Sequence, residues 1–293
     1  VTKECFRDDQ TTPVVLVHGL FMTQAFWAAD NYKPLSEKYP VYTISLPGHY
    51  PEPAFKPGES LTKDSVLACF DRQLDKVAGD KPVVLIGHST GGMMALFYAS
   101  QRPQRVSKVI SVGGTENGEE EALTYRFFQY ASAHWGRVGM ALVPPSLWLS
   151  SATAALHRYF LKEAFAHPEQ LLRDKQIRSM IDGYLPDLHK LDRKTLSVML
   201  NDLQYFDVAE ELKTIKIPSL IICGDQDCYV SRDRTYQLGD LVPQAQVHIF
   251  ADCGHLCMWE KPEMFYGLVL KFIAAAPGKG DARQGSRREK LAS

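Results

Sequence analysis

Short apolar, β-branched runs closed by turn residues recur along this chain and restrict its fold more than any other feature. Val14–Val17 runs into His18-Gly19, Val41–Leu46 into Pro47-Gly48, and Val83–Ile86 into Gly87. Val106–Val112 runs into Gly113-Gly114, Ser219–Cys223 into Gly224, and Gln246–Phe250 follows Pro243. Such continuous apolar runs fit strands covered on both faces, as in a parallel sheet. Between them, segments 25–38, 61–78, 90–101 and 231–241 have the length and apolar spacing of helices. Strand alternating with helix predicts an α/β fold, a mostly parallel doubly wound sheet with right-handed crossovers. Segment 90–101 is apolar nearly all round, which predicts a helix inside the core.

The alternation stops between 115 and 210, where aromatic, charged and proline residues suggest several helices and no strand. The expected organisation is a core of residues 1–114 and 211–276, with an inserted helical cap at 115–210. Residues 277–293 are rich in Gly, Lys, Arg, Gln and Ser and predict a disordered tail. The 293 residues carry 33 Lys and Arg against 34 Asp and Glu, a net charge of -1. That balance argues against nucleic acid as a partner, since phosphate binding needs a concentrated basic face. No apolar run reaches the roughly 20 residues of a membrane span. The first residues are charged and do not read as a signal peptide, so the expected location is cytoplasmic. Six cysteines, at 5, 69, 223, 228, 253 and 257, form no C-x-x-C pattern and read as reduced thiols.

The segment Val83-Val-Leu-Ile-Gly-His-Ser-Thr-Gly-Gly92 carries the chemistry. An expected buried strand ends in Gly87-x-Ser89-x-Gly91 and a small-residue helix follows, the context in which G-x-S-x-G marks a nucleophile elbow. The helix N-terminus would begin at the serine and favour developing negative charge there. A serine hydroxyl needs a base. His255 lies in a loop just after the last expected strand, on the sheet edge that also bears Ser89. His18 and His88 lie near the same edge within glycine turns and read as structural. An imidazole in turn needs an orienting acid. Asp225 and Asp227, at the end of another strand, are both candidates, with Glu116 a remote alternative.

The order Ser, Asp, His resembles that of the Ser-dependent α/β-hydrolases. The resemblance covers about residues 13–276. It implies an acid in a Gly-x-x-Asp-x-x-Val turn, which Gly224, Asp227 and Val230 match, so Asp227 is the implied acid and Asp225 a turn residue. It implies an oxyanion hole from the backbone N–H groups of Leu20, after His18-Gly19, and of Thr90, after the serine. Leu20, Phe21 and Met22 would then line the acyl pocket. Cap aromatics including Tyr125, Phe127, Phe128, Trp135 and Trp148 favour an apolar substrate, with Trp135 a candidate contact. The implied activity is hydrolysis of a carboxylic ester, thioester or lactone through an acyl-enzyme, with no metal or organic cofactor. C–C bond or amide hydrolysis by the same triad and a low-turnover ligand receptor are the alternatives. Serine at the elbow disfavours dehalogenases and epoxide hydrolases, which resemble this family but use Asp there.

Three features depart from the family pattern. Ser45-Leu-Pro-Gly-His-Tyr-Pro-Glu stands where many relatives have Asp-x-Pro-Gly-x-Gly-x-Ser. Only twelve residues precede the first clear strand, so the family's leading antiparallel strands are expected to be short, missing or cut away. Cys228 follows Asp227, while Cys253 and Cys257 flank His255, which raises a redox-sensitive disulfide or soft-metal site beside the ordinary reading of small buried thiols.

Overall fold

The computed structural model describes residues 12–27, 31–119, 123–135, 137–141 and 143–275. The expected tail at 277–293, the first eleven residues and Cys5 lie outside the described residues. Among the described residues, six strands form one all-parallel sheet: β1 (Val14–Val17), β2 (Val41–Ile44), β3 (Val83–His88), β4 (Val106–Val112), β5 (Ser219–Gly224) and β6 (Gln246–Phe250). Their spatial order is β2-β1-β3-β4-β5-β6. The winding direction therefore reverses at β1, whose Val17 lies opposite Ile44 on one side and Gly87 on the other. Open parallel sheets bind ligands outside the carboxyl ends of the strands at such a reversal. The loop after β1 and the turn after β3 both emerge there.

Burial follows the sequence pattern. β1, β3 and β5 are buried along their whole length. Side chains of alternate parity feed two apolar cores, one on each face of the sheet: Val14, Leu16, Val84 and Ile86 on one side, Val15, Val17, Val83 and Leu85 on the other. Helix Thr90–Gln101 is buried at every position from Thr90 to Ala99, as its uniform apolarity predicts. Helix Lys63–Ala78 starts at a reciprocal cap, in which Thr62 Oγ1 accepts from the Ser65 N–H and Ser65 Oγ accepts from the Thr62 N–H.

The expected helix at 25–38 is broken into a single turn at Gln24–Phe26 and a short helix at Lys33–Ser36. Pro34 sits in the first turn of the second piece, where its missing N–H costs nothing, and it cannot continue a helix arriving from upstream. β2 stops at Ile44, because Gln73 takes over the backbone of Ser45 through its N–H at 2.9 Å and its C=O at 2.8 Å.

Between β4 and β5 the described residues form helices, from Leu123–Trp135 to Ala209–Leu212. The ends of this insertion are pinched together. Asn117 and Asp207 form an antiparallel bridge, flanked by Gly118 N–H to Phe206 O and Val208 N–H to Glu116 O, both 2.9 Å. Arg234, from helix Arg232–Leu241, locks the pinch by donating to the Glu119 and Asn117 carbonyls at 2.6 and 3.0 Å and pairing with Glu116 at 3.4 Å. Glu116 is thereby an ion-pair partner of Arg234 at the neck of the insertion, and the carboxylate bonded to the His255 ring is that of Asp227.

The last helix, Pro262–Ala274, is anchored by a buried cation. Lys108 of β4 donates to the carbonyls of Phe272, Ile273 and Ala275 at 2.9, 2.6 and 2.6 Å. A cation at a helix C-terminus satisfies orphan carbonyls and complements the dipole. Lys108→Met leaves these acceptors without a donor. It is expected to cost about 2 kcal/mol, seen as a thermal midpoint lowered by several degrees. An unchanged midpoint would show that the anchor is dispensable.

Candidate active site

The turn after β3 is built by close approach. Ser89 has φ 56°, ψ -126°, an unfavourable backbone conformation for a non-glycine residue, and its N–H is held by the Val112 carbonyl at 2.7 Å. A Cβ on Gly91 would stand 2.3 Å from the His18 carbonyl, so only glycine lets the helix start directly against the loop after β1. The elbow expected from the sequence is present, and its first helical N–H, that of Thr90, has no carbonyl one turn back to bond.

The Gly-x-x-Asp-x-x-Val turn after β5 places Asp227 beside His255. His255 Nδ1 lies 2.7 Å from Asp227 Oδ2, and both side chains are almost fully buried. Asp227 Oδ1 accepts from the Tyr229 and Val230 N–H groups at 2.8 and 3.0 Å. These donors fix the orientation of the carboxylate. The imidazole therefore carries its proton on Nδ1 and turns Nε2 away from Asp227. Asp225 does serve the turn, accepting from the Cys253 N–H at 3.2 Å.

Ser89, His255, Leu20, Phe21, Met22 and Thr90 all line one cleft open to solvent. No hydrogen bond joins Ser89 to His255 among the described residues, a looseness common before substrate binds. Trp135 is not among the described residues that line this cleft and is 51% exposed on its helix. Tyr125 and Phe128 have side chains outside the described set. The insertion reaches the cleft instead through Leu161, Ala164 and Leu203.

Several residues that sequence reasoning passed over hold this arrangement. Gly113, at the end of β4 with φ 58°, is the floor: a Cβ there would lie 2.8 and 2.9 Å from the His255 ring and 3.4 Å from Asp227 Oδ2. Glu260 accepts from the Gly254 N–H and the Ala166 N–H, both at 2.8 Å, and the His255 N–H donates to the Ala164 carbonyl at 2.8 Å. These bonds tie the His255 loop to the segment that follows Leu161. Burial raises the Glu260 carboxyl above the ordinary range, opposed by the N–H donors. The dyad Gly113-Gly114 closing a strand was the available signal for the floor; nothing local marked Glu260.

The departure at Pro47-Gly48-His49 also has a role. His49 Nε2 accepts the Phe21 N–H at 3.3 Å, and His18 Nε2 accepts the Leu46 N–H at 3.4 Å. The loops after β1 and β2 thus brace each other through two buried imidazoles 5.2 Å apart. Phe21 is held at φ 61° by this brace. Both rings are neutral, pushed by burial to about 4 for His49 and about 3 for His18. His88 is neutral for the same reason: its Nε2–H donates to the His255 carbonyl at 3.2 Å, and its ring stacks on Phe26 at 5.2 Å. Phe26 stacks in turn on Trp259, 5.1 Å away. His18 and His88 are structural, as their glycine-turn contexts suggested.

No disulfide joins the described cysteines near the pair, although Cys223 Sγ donates to Asp227 Oδ2 at 3.5 Å. The five described cysteines are free. Cys228 is exposed, with Sγ 2.9 Å from the Glu163 carbonyl, while Cys253 and Cys257 are buried. Hydrogen bonding to Cys253 and burial both raise the Cys257 thiol, so it is not poised as a thiolate. Among the described residues no three His, Cys, Asp or Glu side chains are grouped to hold a metal ion.

Two outcomes are expected. Gly113→Ala displaces the imidazole, and the low-field proton signal of the Asp-bound Nδ1–H is lost or shifted; an unchanged signal would mean that the floor yields. The buried histidines have folded values below the 6.5 of an unconstrained histidine. The unfolded chain therefore takes up protons first as pH falls. Stability is fully present above about pH 6.5 and is lost as pH falls toward the folded value of about 4 for His49. His49→Gln, which keeps an acceptor but does not titrate, should flatten the fall in thermal midpoint over that range.

Comparison with known proteins agrees with the geometry. A 2-hydroxy-6-oxononadienedioate/2-hydroxy-6-oxononatrienedioate hydrolase of Cupriavidus pinatubonensis is 28% identical over 265 residues, spanning 89% of this chain and 86% of that protein. An esterase from Rhodococcus sp. ECU1013 superposes with a TM-score of 0.71 at 18% identity, over 92% of this chain and 93% of that one. The enol-lactonase from Burkholderia xenovorans LB400 superposes with a TM-score of 0.70 at 18% identity, over 90% and 92%. The family model described as alpha/beta hydrolase fold matches residues 12–262. With most of its length matched and a six-stranded parallel sheet that carries the elbow at its winding reversal, the chain belongs to the α/β hydrolase fold family.

Proposed function

We propose that this hydrolase cleaves a carboxylic ester of an apolar, uncharged small molecule, with Ser89 as nucleophile, His255 as general base and Asp227 as the orienting acid. The observation that carries the reading is the buried 2.7 Å His255–Asp227 bond, which turns Nε2 away from Asp227 in a cleft that Ser89 also lines. In this mechanism His255 Nε2 takes the Ser89 proton as Oγ attacks the ester carbonyl. The oxyanion is received by the N–H groups of Leu20 and Thr90, each worth roughly 2.7–4 kcal/mol. His255 then protonates the leaving alcohol, activates water and releases the acid, while Asp227 keeps the Nδ1–H in place. The helices of 115–210 form the cap over this cleft.

The substrate class is read from the lining. Leu20, Phe21, Met22, Met93, Leu161 and Leu256 are apolar. Arg234 is the one cation among the lining residues, and it is committed to Glu116, Asn117 and Glu119. Among the described residues, a substrate carboxylate would find no uncommitted Lys or Arg there. The name of the Cupriavidus relative nevertheless supports a second reading, C–C bond hydrolysis of a 2-hydroxy-6-oxo dienedioate by the same three residues.

A p-nitrophenyl ester series from acetate to laurate, run beside the 2-hydroxy-6-oxononadienedioate, separates the two. The expected result is many turnovers on the esters with an optimum at an intermediate chain length. Ser89→Ala is expected to lose at least ~10³-fold, and Asp227→Asn roughly 10²–10⁴-fold. Turnover of the dioate with negligible ester cleavage would replace the first reading by the second. Full activity in Ser89→Ala would end both.

A further inference from the structure

The first part of the insertion carries a charge pattern unlike the sequence that flanks it, Glu119–Glu121 before and Glu163 after. Residues 123–162 hold four formal cations, Arg126, Arg137, Arg158 and Lys162, and not one Asp or Glu, in a protein whose net charge is -1. The same forty residues hold eight Phe, Tyr and Trp side chains. Several of these and two aliphatic neighbours are turned outward: Val138, Trp148 and Tyr159 are 69%, 54% and 62% exposed, and Phe127, Tyr130, Leu149 and Phe160 are exposed as well. Soluble chains rarely expose so many large apolar side chains within one segment without a partner for them.

Three of the four helices that bear these residues share one support. Helices Leu123–Trp135, Arg137–Met140 and Val143–Ser151 all pack against helix Arg193–Leu203, whose Leu203 lines the cleft. Helix Ala154–Leu161 packs on Val143–Ser151 and turns from exposed Tyr159 and Phe160 to Leu161, which lines the cleft. Arg158 is answered by Asp182 at 3.3 Å, and Lys162 Nζ lies over the Tyr159 ring at 5.0 Å. Arg126 is exposed.

We infer that this face of the insertion docks on an anionic lipid surface. Aromatic rings with apolar bodies and polar edges settle at the headgroup level of a bilayer, and cations beside them meet the lipid phosphates and carboxylates. Charge decides the occupant. A second copy of the same face would set cations against cations. A neutral apolar partner would leave them unanswered. No helix among the described residues is long and apolar enough to cross a membrane, so the contact is peripheral. Docking there places the cleft, through Leu161 and Leu203, behind the lipid-facing layer. It thereby extends the proposed apolar ester to one that partitions into a membrane.

Flotation of the purified full chain with vesicles tests this. The chain is expected to float with phosphatidylcholine–phosphatidylserine vesicles, less with phosphatidylcholine alone, and less as salt is raised. Arg126→Gln with Lys162→Gln should weaken binding to the mixed vesicles on the order of 20-fold. Val138→Ser with Trp148→Ser should weaken binding to both vesicle types, with soluble-ester turnover unchanged. Ser89→Ala should float like the wild type, so that failure of the catalytic reading and failure of docking are told apart. Absence of flotation at low salt, or variants that float unchanged, would overturn the inference. So would a dimer that becomes monomeric with Trp148→Ser, which would assign the face to a second copy.

Discussion

The 2.7 Å bond between His255 and Asp227 depends on empty space over one backbone atom. Both side chains lie on the Cα of Gly113, and a methyl group there would overlap the imidazole. Four strand ends converge on that point. β4 supplies the floor, β5 leads to the acid, β6 leads to the base, and β3 ends at Ser89. A parallel sheet brings these ends together because every crossover returns the chain to the same edge. The winding reversal at β1 adds the Gly19–Met22 loop from the other side. The chemistry proposed for this cleft rests on the spacing of strands, and the strands hold that spacing through buried apolar side chains.

Polar groups brought into such a place need partners, and the chain meets that need largely with neutral histidine. A buried neutral imidazole offers one donor and one acceptor without a charge to desolvate. His49 and His18 use this to receive N–H groups from the loop opposite each, and His88 uses its donor on the His255 carbonyl. A lysine or carboxylate in these positions would bring a charge with no counterion. Burial lowers the protonation range of all three rings, which keeps the braces intact through neutral pH and exposes them to acid.

The parts legible in the sequence were those encoded within a few consecutive residues. The strand–elbow–helix at Val83–Gln101 is specified by local apolarity and by glycines that must touch neighbouring backbone. Asp227 was singled out only by a family turn pattern, because Asp225 stands two residues away with the same chemistry. Gly113, His49 and Glu260 act on residues distant in sequence, Glu260 on Ala166 and His49 on Phe21, and no local pattern announces such a pairing. The helix expected at 25–38 had the right apolar spacing, but spacing does not register that Pro34 must begin a helix. Trp135 looked like a pocket residue because large aromatic side chains usually find burial; on this insertion a number of them do not.

That exposure ties the insertion to the substrate question. On the proposed reading, Arg234, the one Lys or Arg among the described lining residues, is paired with Glu116, so a substrate carboxylate would be left unpaired, a stronger discrimination than an apolar pocket achieves by shape. Uncharged apolar esters are scarce in water and concentrated in membranes, so an enzyme for them gains from meeting its substrate at a surface. The insertion is suited to this: its outward side is aromatic and cationic, and its inward side supplies Leu161 and Leu203 to the cleft. The pinch at Asn117 and Asp207, locked by Arg234, holds the two ends of the insertion to the core. A layer fixed at its base and facing lipid can receive substrate from the membrane while the sheet edge beneath it keeps the reacting groups in register.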